Sequence, residues 1–318
     1  MIPLNNLYIT WAKIVVPFLG NSFSQAVLTN PSWLVNIGGH TLLRATAVFP
    51  DPHMFSFYLN ICALISLGIF FNIIKNKKSI NFKQGDPRIR EDDNNEINQI
   101  NSYIYLVLFF ILALASFLTF SRGGYLGLIA GLLFFGFFAF KSRLKYFLSN
   151  PKKMLLLVFI LLTFGLIFAL PNPITNRLLS SFDLSEGSNF GRIQTWQQSL
   201  EIIKANPILG VGLGNYSLSI KPSANYREPI YSHNTFLDIA AETGIFNAFI
   251  WLILFLFAII SFTRDFLSKN SFIHLGLAAA LISFSIHSLF ETAIFSVHIL
   301  PLIILILSLQ KTKFSDLK

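Results

Sequence analysis

Sulfur and charge are what this sequence has least of. One cysteine, Cys62, in 318 residues excludes a disulfide framework, and its place inside an apolar run leaves no neighbour to activate a thiol. Charged residues make up 12% of the chain against 53% hydrophobic, which excludes an ordinary soluble domain and a solvated, disordered chain alike. A basic leader and a small-residue cleavage site are also missing. Leu7 to Gly20, interrupted by Lys13 and Pro17, therefore reads as an interfacial segment and not as a signal peptide.

Phenylalanine is what the chain has in plenty. The 35 Phe residues fall mostly in runs with Leu and Ile, and the mean hydropathy is +0.61. A hydrocarbon core needs roughly 20 helical residues to cross. Runs of about that length occupy 54–74, 103–120, 123–140, 154–171, 243–262, 272–289 and 293–309. The expected fold is all-α: a polytopic transmembrane helix bundle of about seven spans, forming one membrane domain over residues 1–318.

The formal charge of +9 does not point to nucleic acid, because its cations sit in short loops between spans. Lys75, Lys77, Lys78, Lys83, Arg88 and Arg90 mark a solvated cytoplasmic loop at 75–102, and Lys141 to Lys153 mark a second. Threading the spans from these anchors puts the segment 1–53, the turn at Ser121 to Gly124, a large loop at 171–242 and the turn near Glu291 on the extracytoplasmic face. The lipid bilayer is the expected partner of the whole chain.

Several residues on that face could carry chemistry. Arg122, in Ser121-Arg-Gly-Gly-Tyr125, is a cation where the positive-inside rule disfavours one. It either snorkels to headgroups or binds an anion bidentately, with Gly123 and Gly124 allowing close approach. In the large loop Ile193, Trp196, Leu200 and Ile203 recur at helical spacing, so an amphipathic helix is expected there, ended by Asn206 and Pro207. Arg192 stands at its start, where a cation opposes the helix dipole unless an anion is shared. Gly210-Val-Gly-Leu-Gly214 follows a helix and not a strand, which excludes a dinucleotide loop and leaves flexible backbone as the reading.

His233 lies just before the fifth apolar run and suits a general base near neutral pH, with Asn234, Asp238 and Glu242 as candidates to orient it. The alternative is a capped structural histidine. His287 and Glu291, four apart, form a candidate pair on one helical face. Asp51-Pro-His53 reads as turn chemistry first and a site second. No ligand spacing on this face points to a bound metal.

Taken in order, Arg44-Ala-Thr-Ala-Val-Phe-Pro-Asp-Pro-His53, Ser121-Arg-Gly-Gly-Tyr-Leu-Gly127, Gly191-Arg-Ile-Gln-Thr-Trp196, Asn206-Pro-Ile-Leu-Gly-Val-Gly-Leu-Gly-Asn-Tyr216 and Ser232-His-Asn-Thr-Phe-Leu-Asp-Ile-Ala-Ala-Glu-Thr-Gly244 resemble the O-antigen ligase and O-antigen polymerase superfamily, the Wzy_C type, across roughly residues 40–310. His53 departs from that pattern, which usually has Asn there. The family also has more spans than this chain, so the resemblance implies missing N-terminal helices. It further implies an inverting glycosyltransferase that uses no cofactor or metal and moves a glycan from an undecaprenyl-diphosphate carrier to a hydroxyl of an acceptor glycan or glycolipid, as ligase or as polymerase. Arg122 and Arg192 would hold the diphosphate, His233 would activate the acceptor, and Arg44, Asn234, Asp238, Glu242, His287 and Glu291 are possible supports. A transporter or flippase would need ionisable groups at mid-bilayer or paired broken helices, and the runs show neither. An inactive, truncated remnant is the remaining alternative.

Overall fold

The computed structural model describes residues 33–37, 40–47, 49, 51–83, 92–141, 173–180, 183, 187–223, 230–294 and 296–311. A short hairpin, β1 (Leu34–Ile37) and β2 (His40–Leu43), pairs antiparallel and precedes α1 (Pro52–Lys83), α2 (Asp92–Leu118) and α3 (Arg122–Lys141). Short helices α4 (Pro173–Leu179), α5 (Gly187–Ala205), α6 (Tyr216–Ile220) and α7 (Thr235–Thr243) follow, then α8 (Ile245–Lys269), α9 (Phe272–His287) and α10 (Leu300–Ser308).

A membrane helix bundle is what the apolar runs led to, and it is what forms. By length and composition Pro52–Lys75, Arg122–Phe140 and Ile245–Lys269 can cross a bilayer, and Tyr103–Leu118 and Phe272–His287 are shorter apolar helices. The run expected at 154–171 lies outside the described residues. The run at 293–309 is helical only from Leu300, because residues 297–299 form a turn and Pro301 opens α10. Helix also extends into the expected loop at 75–102, through Lys83 on one side and from Asp92 on the other. The β-hairpin is an addition within the 1–53 segment: it delivers Arg44 to the end of α2, where Ala45 N donates to Leu118 O at 3.0 Å.

The core is built around α9. It is buried on all sides, including Leu275, Leu277, Leu281 and the run Ala278 to Ala280, so it sits inside the bundle against α1, α3 and α8. Small residues make this possible. A Cβ on Gly276 would lie 2.8 Å from Leu64 O and 3.1 Å from Gly68 Cα, so the backbones of α1 and α9 touch directly. The helices around it carry the lipid-facing surface, as Phe246, Phe249, Ile250 and Ile253 on α8 illustrate.

The turn expected at Ser121 to Gly124 lies one step earlier, at residues 119–121. Ser121 caps α3 by accepting from Gly124 N at 3.2 Å. Gly123 and Gly124 thus fall in the first turn of α3. Their missing side chains admit His287 and Ser56, not a ligand: a Cβ on Gly124 would stand 2.0 Å from Ser56 Oγ.

The α1–α9 contact gives a direct test. Gly276→Val should lower stability by about 1–3 kcal/mol or more through overpacking against backbone that cannot yield. Gly136→Val, whose Cβ would meet only Phe140 at 4.0 Å, should leave the thermal transition in detergent almost unmoved. Equal melting temperatures for the two variants would contradict the close crossing.

Candidate active site

At one end of the bundle the first residues of α1 and α3, the short helices α4 and α5, and the turns before α7 and after α9 enclose a cavity of about 530 Å³. Arg44, Asp51, His53, Arg122, Arg177, Arg192, His233 and Glu291 all line it. Arg122, Arg192, His233, Arg44 and Glu291 are thereby brought together, whereas Asn234, Asp238, Glu242 and His287 are not among its lining residues.

Each arginine is held by backbone oxygen. Arg44 Nε donates to Thr119 O at 2.7 Å. Arg122 Nη1 donates to Ser180 O at 3.0 Å, Arg177 Nε to Phe120 O at 3.4 Å, and Arg192 Nε to Phe290 O at 3.0 Å. Burial lowers the Arg44 guanidinium to about 10, with Asp51 opposing that shift, so it is still charged at neutral pH. Four guanidinium groups against two carboxylates make the cavity cationic, and low-dielectric walls focus that field. Such a chamber suits a multiply charged anion with phosphate geometry.

Arg192 does not start its helix. α5 begins at Gly187, so Arg192 lies in the second turn, and the dipole argument belongs instead to Arg122, the first residue of α3. Of the apolar stripe expected on α5, Leu200 is 47% exposed, whereas Ile193, Trp196 and Ile203 are half-buried. The face that packs inward also carries polar groups. Thr195 Oγ1 donates to Ser232 O at 3.1 Å, and Ser199 Oγ shares a 2.6 Å hydrogen bond with Tyr216 OH. Burial and that bond belong together: the Tyr216 hydroxyl is pushed up to about 12 by burial, so it stays protonated.

Glu291 is the centre of the site. Its side chain is 8% exposed, with Oε1 2.7 Å from His233 Nδ1 and Oε2 3.6 Å from Arg192 Nη2 and 3.7 Å from His53 Nε2. Burial alone would push this carboxyl up, but the charges of His53, His233 and Arg192 outweigh it and hold it below the usual carboxylate range. Glu291 in turn raises the basicity of His233, against a smaller opposing effect of burial. The expected pairing of His287 with Glu291 is replaced. α9 ends at His287, so the two do not share a helical face, and His287 instead stacks on Phe57 at 3.6 Å and meets Ser121 Oγ at 3.2 Å.

His233 carries its ring on left-handed backbone, with φ +56°. Asn234 is the N-cap of α7, accepting from Phe236 N and Leu237 N at 3.0 and 3.2 Å, so it organises the helix and not the imidazole. Asp238 acts as a clasp. It accepts from Ser232 N at 2.9 Å and from the Thr292 hydroxyl, joining the turn that bears His233 to the turn that bears Glu291. Glu242 lies at the Gly-rich turn, where its carbonyl accepts from Gly212 N at 2.9 Å. That turn is bound to α7 and does not line the cavity, which corrects the reading of free backbone beside the site.

Residues 107–252 match the family model described as Wzy_C, O-Antigen ligase. The resemblance carried by the motifs is thereby borne out, over a shorter stretch than the motifs cover. The chain is also 29% identical over 204 residues to the ComP-specific O-oligosaccharyltransferase of Acinetobacter baylyi, an alignment covering 62% of this chain and 35% of that relative. The chain thus spans about a third of the relative it matches. Within the O-antigen ligase match lie Arg122, Arg177, Arg192 and His233, and outside it lie Arg44, His53 and Glu291.

Sequence reasoning missed Arg177 and underweighted His53. Arg177 was detectable by the rule that singled out Arg122, since both are cations on the side where the rule disfavours them. His53 had no such signal, because the partners that draw it into the cavity, Ser121 and Glu291, are remote in sequence.

The Asp238 clasp is testable. Asp238→Ala leaves a Ser232 N–H and a Thr292 hydroxyl without their acceptor and should cost roughly 1–3 kcal/mol. Asp238→Asn can accept from one and donate to the other and should fold nearly as well. Burial holds the Asp238 carboxyl at about 6, so its ionised form is disfavoured in the folded protein, and its favourable contribution is lost as pH rises through that value. Wild type should therefore lose thermal stability relative to Asp238→Asn as pH rises from 3.8 to about 6, and parallel melting curves would speak against a buried carboxyl at this position.

Proposed function

We propose that this protein is an inverting membrane glycosyltransferase that moves an oligosaccharide from a lipid-diphosphate carrier, undecaprenyl diphosphate, to an acceptor hydroxyl on the extracytoplasmic face of a bacterial inner membrane, in the manner of an O-antigen ligase. The observation that carries this reading is the 530 Å³ cavity in which four arginines surround a histidine paired with a buried glutamate. The name of the Acinetobacter relative makes oligosaccharide the transferred group.

The chemistry follows from the groups present. The diphosphate is already a leaving group, so the protein must neutralise its charge, align the acceptor and take one proton. Arg122 and Arg192 grip the diphosphate, with Arg44 and Arg177 adding to the field. Glu291 holds the Nδ1 side of His233, which leaves Nε2 as the acceptor of the sugar hydroxyl proton. The His233 side chain is 45% exposed, so a substrate can reach it. As that proton moves to Nε2, the hydroxyl oxygen forms a bond to the anomeric carbon from the face opposite the diphosphate. The bond from that carbon to the phosphate oxygen breaks, and its electron pair leaves with the diphosphate. Glu291 then stabilises the imidazolium.

His233→Ala should lower turnover of a lipid-diphosphate donor by roughly 10²- to 10⁴-fold, the usual contribution of a general base. Arg122→Ala should abolish transfer without reducing protein in the membrane. Retained turnover in both variants would overturn the assignment.

The pH profile gives an independent test. Because Glu291 raises His233 above its ordinary value of 6.5, the active, unprotonated base is lost as pH falls through a point above 6.5. Glu291→Gln removes the charge responsible, so the acid limb of kcat should move to lower pH while kcat itself falls. An acid limb that stays in place would exclude Glu291 as the partner that tunes the base.

A further inference from the structure

The turn after α5 is the most exposed apolar surface outside the spans. Ile208, Leu209 and Leu213 are 65%, 81% and 71% exposed. Residues 205–220 contain no charged side chain, yet Lys204 and Lys221 flank them directly. A contiguous apolar patch bordered by cations marks an interaction surface.

Its position is fixed by backbone contacts. Ile245 N donates to Pro207 O at 2.9 Å and Val211 N to Ala241 O at 2.9 Å. A Cβ on Gly244 would stand 1.9 Å from Ile208 O, and Gly244 has φ +90°, so glycine is what allows the turn to sit this close. The turn is thus riveted to the point where α7 ends and α8 begins.

That point can be set against a bilayer. Along α8 the first charged residue after Ile245 is Arg264. The uncharged stretch 245–263 rises roughly 28 Å at 1.5 Å per residue, close to the thickness of the hydrocarbon core. With Arg264 at one boundary, Ile245 lies at the other. The exposed face of α8, Phe246, Phe249, Ile250 and Ile253, follows helical spacing and faces lipid. Ile208 is seated on Gly244, so the apolar turn continues that surface beyond the start of the helix.

We infer that residues 207–213 insert into the bilayer at the cavity end of the bundle, with Ile208, Leu209 and Leu213 among the acyl chains and Lys204 and Lys221 at the headgroup phosphates. The inference stands on the membrane reading alone and does not depend on the reaction. It makes α5 a strut: one end is fixed in lipid while Arg192, near the other, reaches the cavity.

The test uses the whole protein in vesicles of phosphatidylcholine and phosphatidylglycerol. In a Cys62→Ala background, Leu209→Cys is labelled with a polarity-sensitive nitrobenzoxadiazole dye. The expected result is blue-shifted emission that is lost when the lipids carry a nitroxide near the top of the acyl chain, and that resists iodide. Iodide quenching without nitroxide quenching would place the turn in water and overturn the inference. A blue shift insensitive to both quenchers would mean that another protein surface covers the turn, and would overturn it too. The same probe at Ile208→Cys gives a second reading if the first variant does not fold.

Discussion

A carboxylate removed from water is costly unless cations meet it, and the geometry around Glu291 is organised by that requirement. Two groups answer it, His233 from the turn before α7 and Arg192 from α5, while the His53 ring from the first turn of α1 stands 3.7 Å away. Each is thereby drawn to the same point from a different part of the chain. The result is a chamber whose positive groups are not free to spread apart, and in which the His233 ring has a fixed orientation.

The bundle beneath supports that point by simple means. α9 is buried throughout because small residues let α1 and α3 approach its backbone, and its end therefore arrives in a fixed place. The chain then turns at residues 288–290 and presents Glu291 and Thr292. Asp238 and Thr235 bind this turn from the other side, Thr235 Oγ1 donating to Glu291 O at 3.0 Å. Rigid membrane helices thus locate the turns, and hydrogen bonds between turns locate the reactive groups.

How legible this was in the sequence depended on distance along the chain. The membrane bundle followed from long apolar runs, which are a local property. Arg122 and His233 stood out because each violates or completes a local pattern, a cation on the disfavoured face and an imidazole just before a helix. The polar contacts of α5 were not legible beside its apolar stripe, because Thr195 and Ser199 have partners that no periodicity reveals. The Asp238–Thr292 and His233–Glu291 contacts join positions 54 and 58 residues apart, so only the fold could disclose them. The seventh apolar run, 293–309, was overextended because hydropathy does not mark where a helix begins: α10 starts only at Leu300, with Pro301 in its first turn.

The separation of His233 from Glu291 by α8 and α9 has a consequence for biogenesis. A ribosome that has delivered Arg122, Arg177, Arg192 and His233 to the membrane has made an electropositive chamber in which Asp51 is present but Glu291 is not. Only when both later helices have been threaded into the bilayer does Glu291 arrive to complete it. Partly inserted chains therefore hold His233 without the carboxylate that raises its basicity.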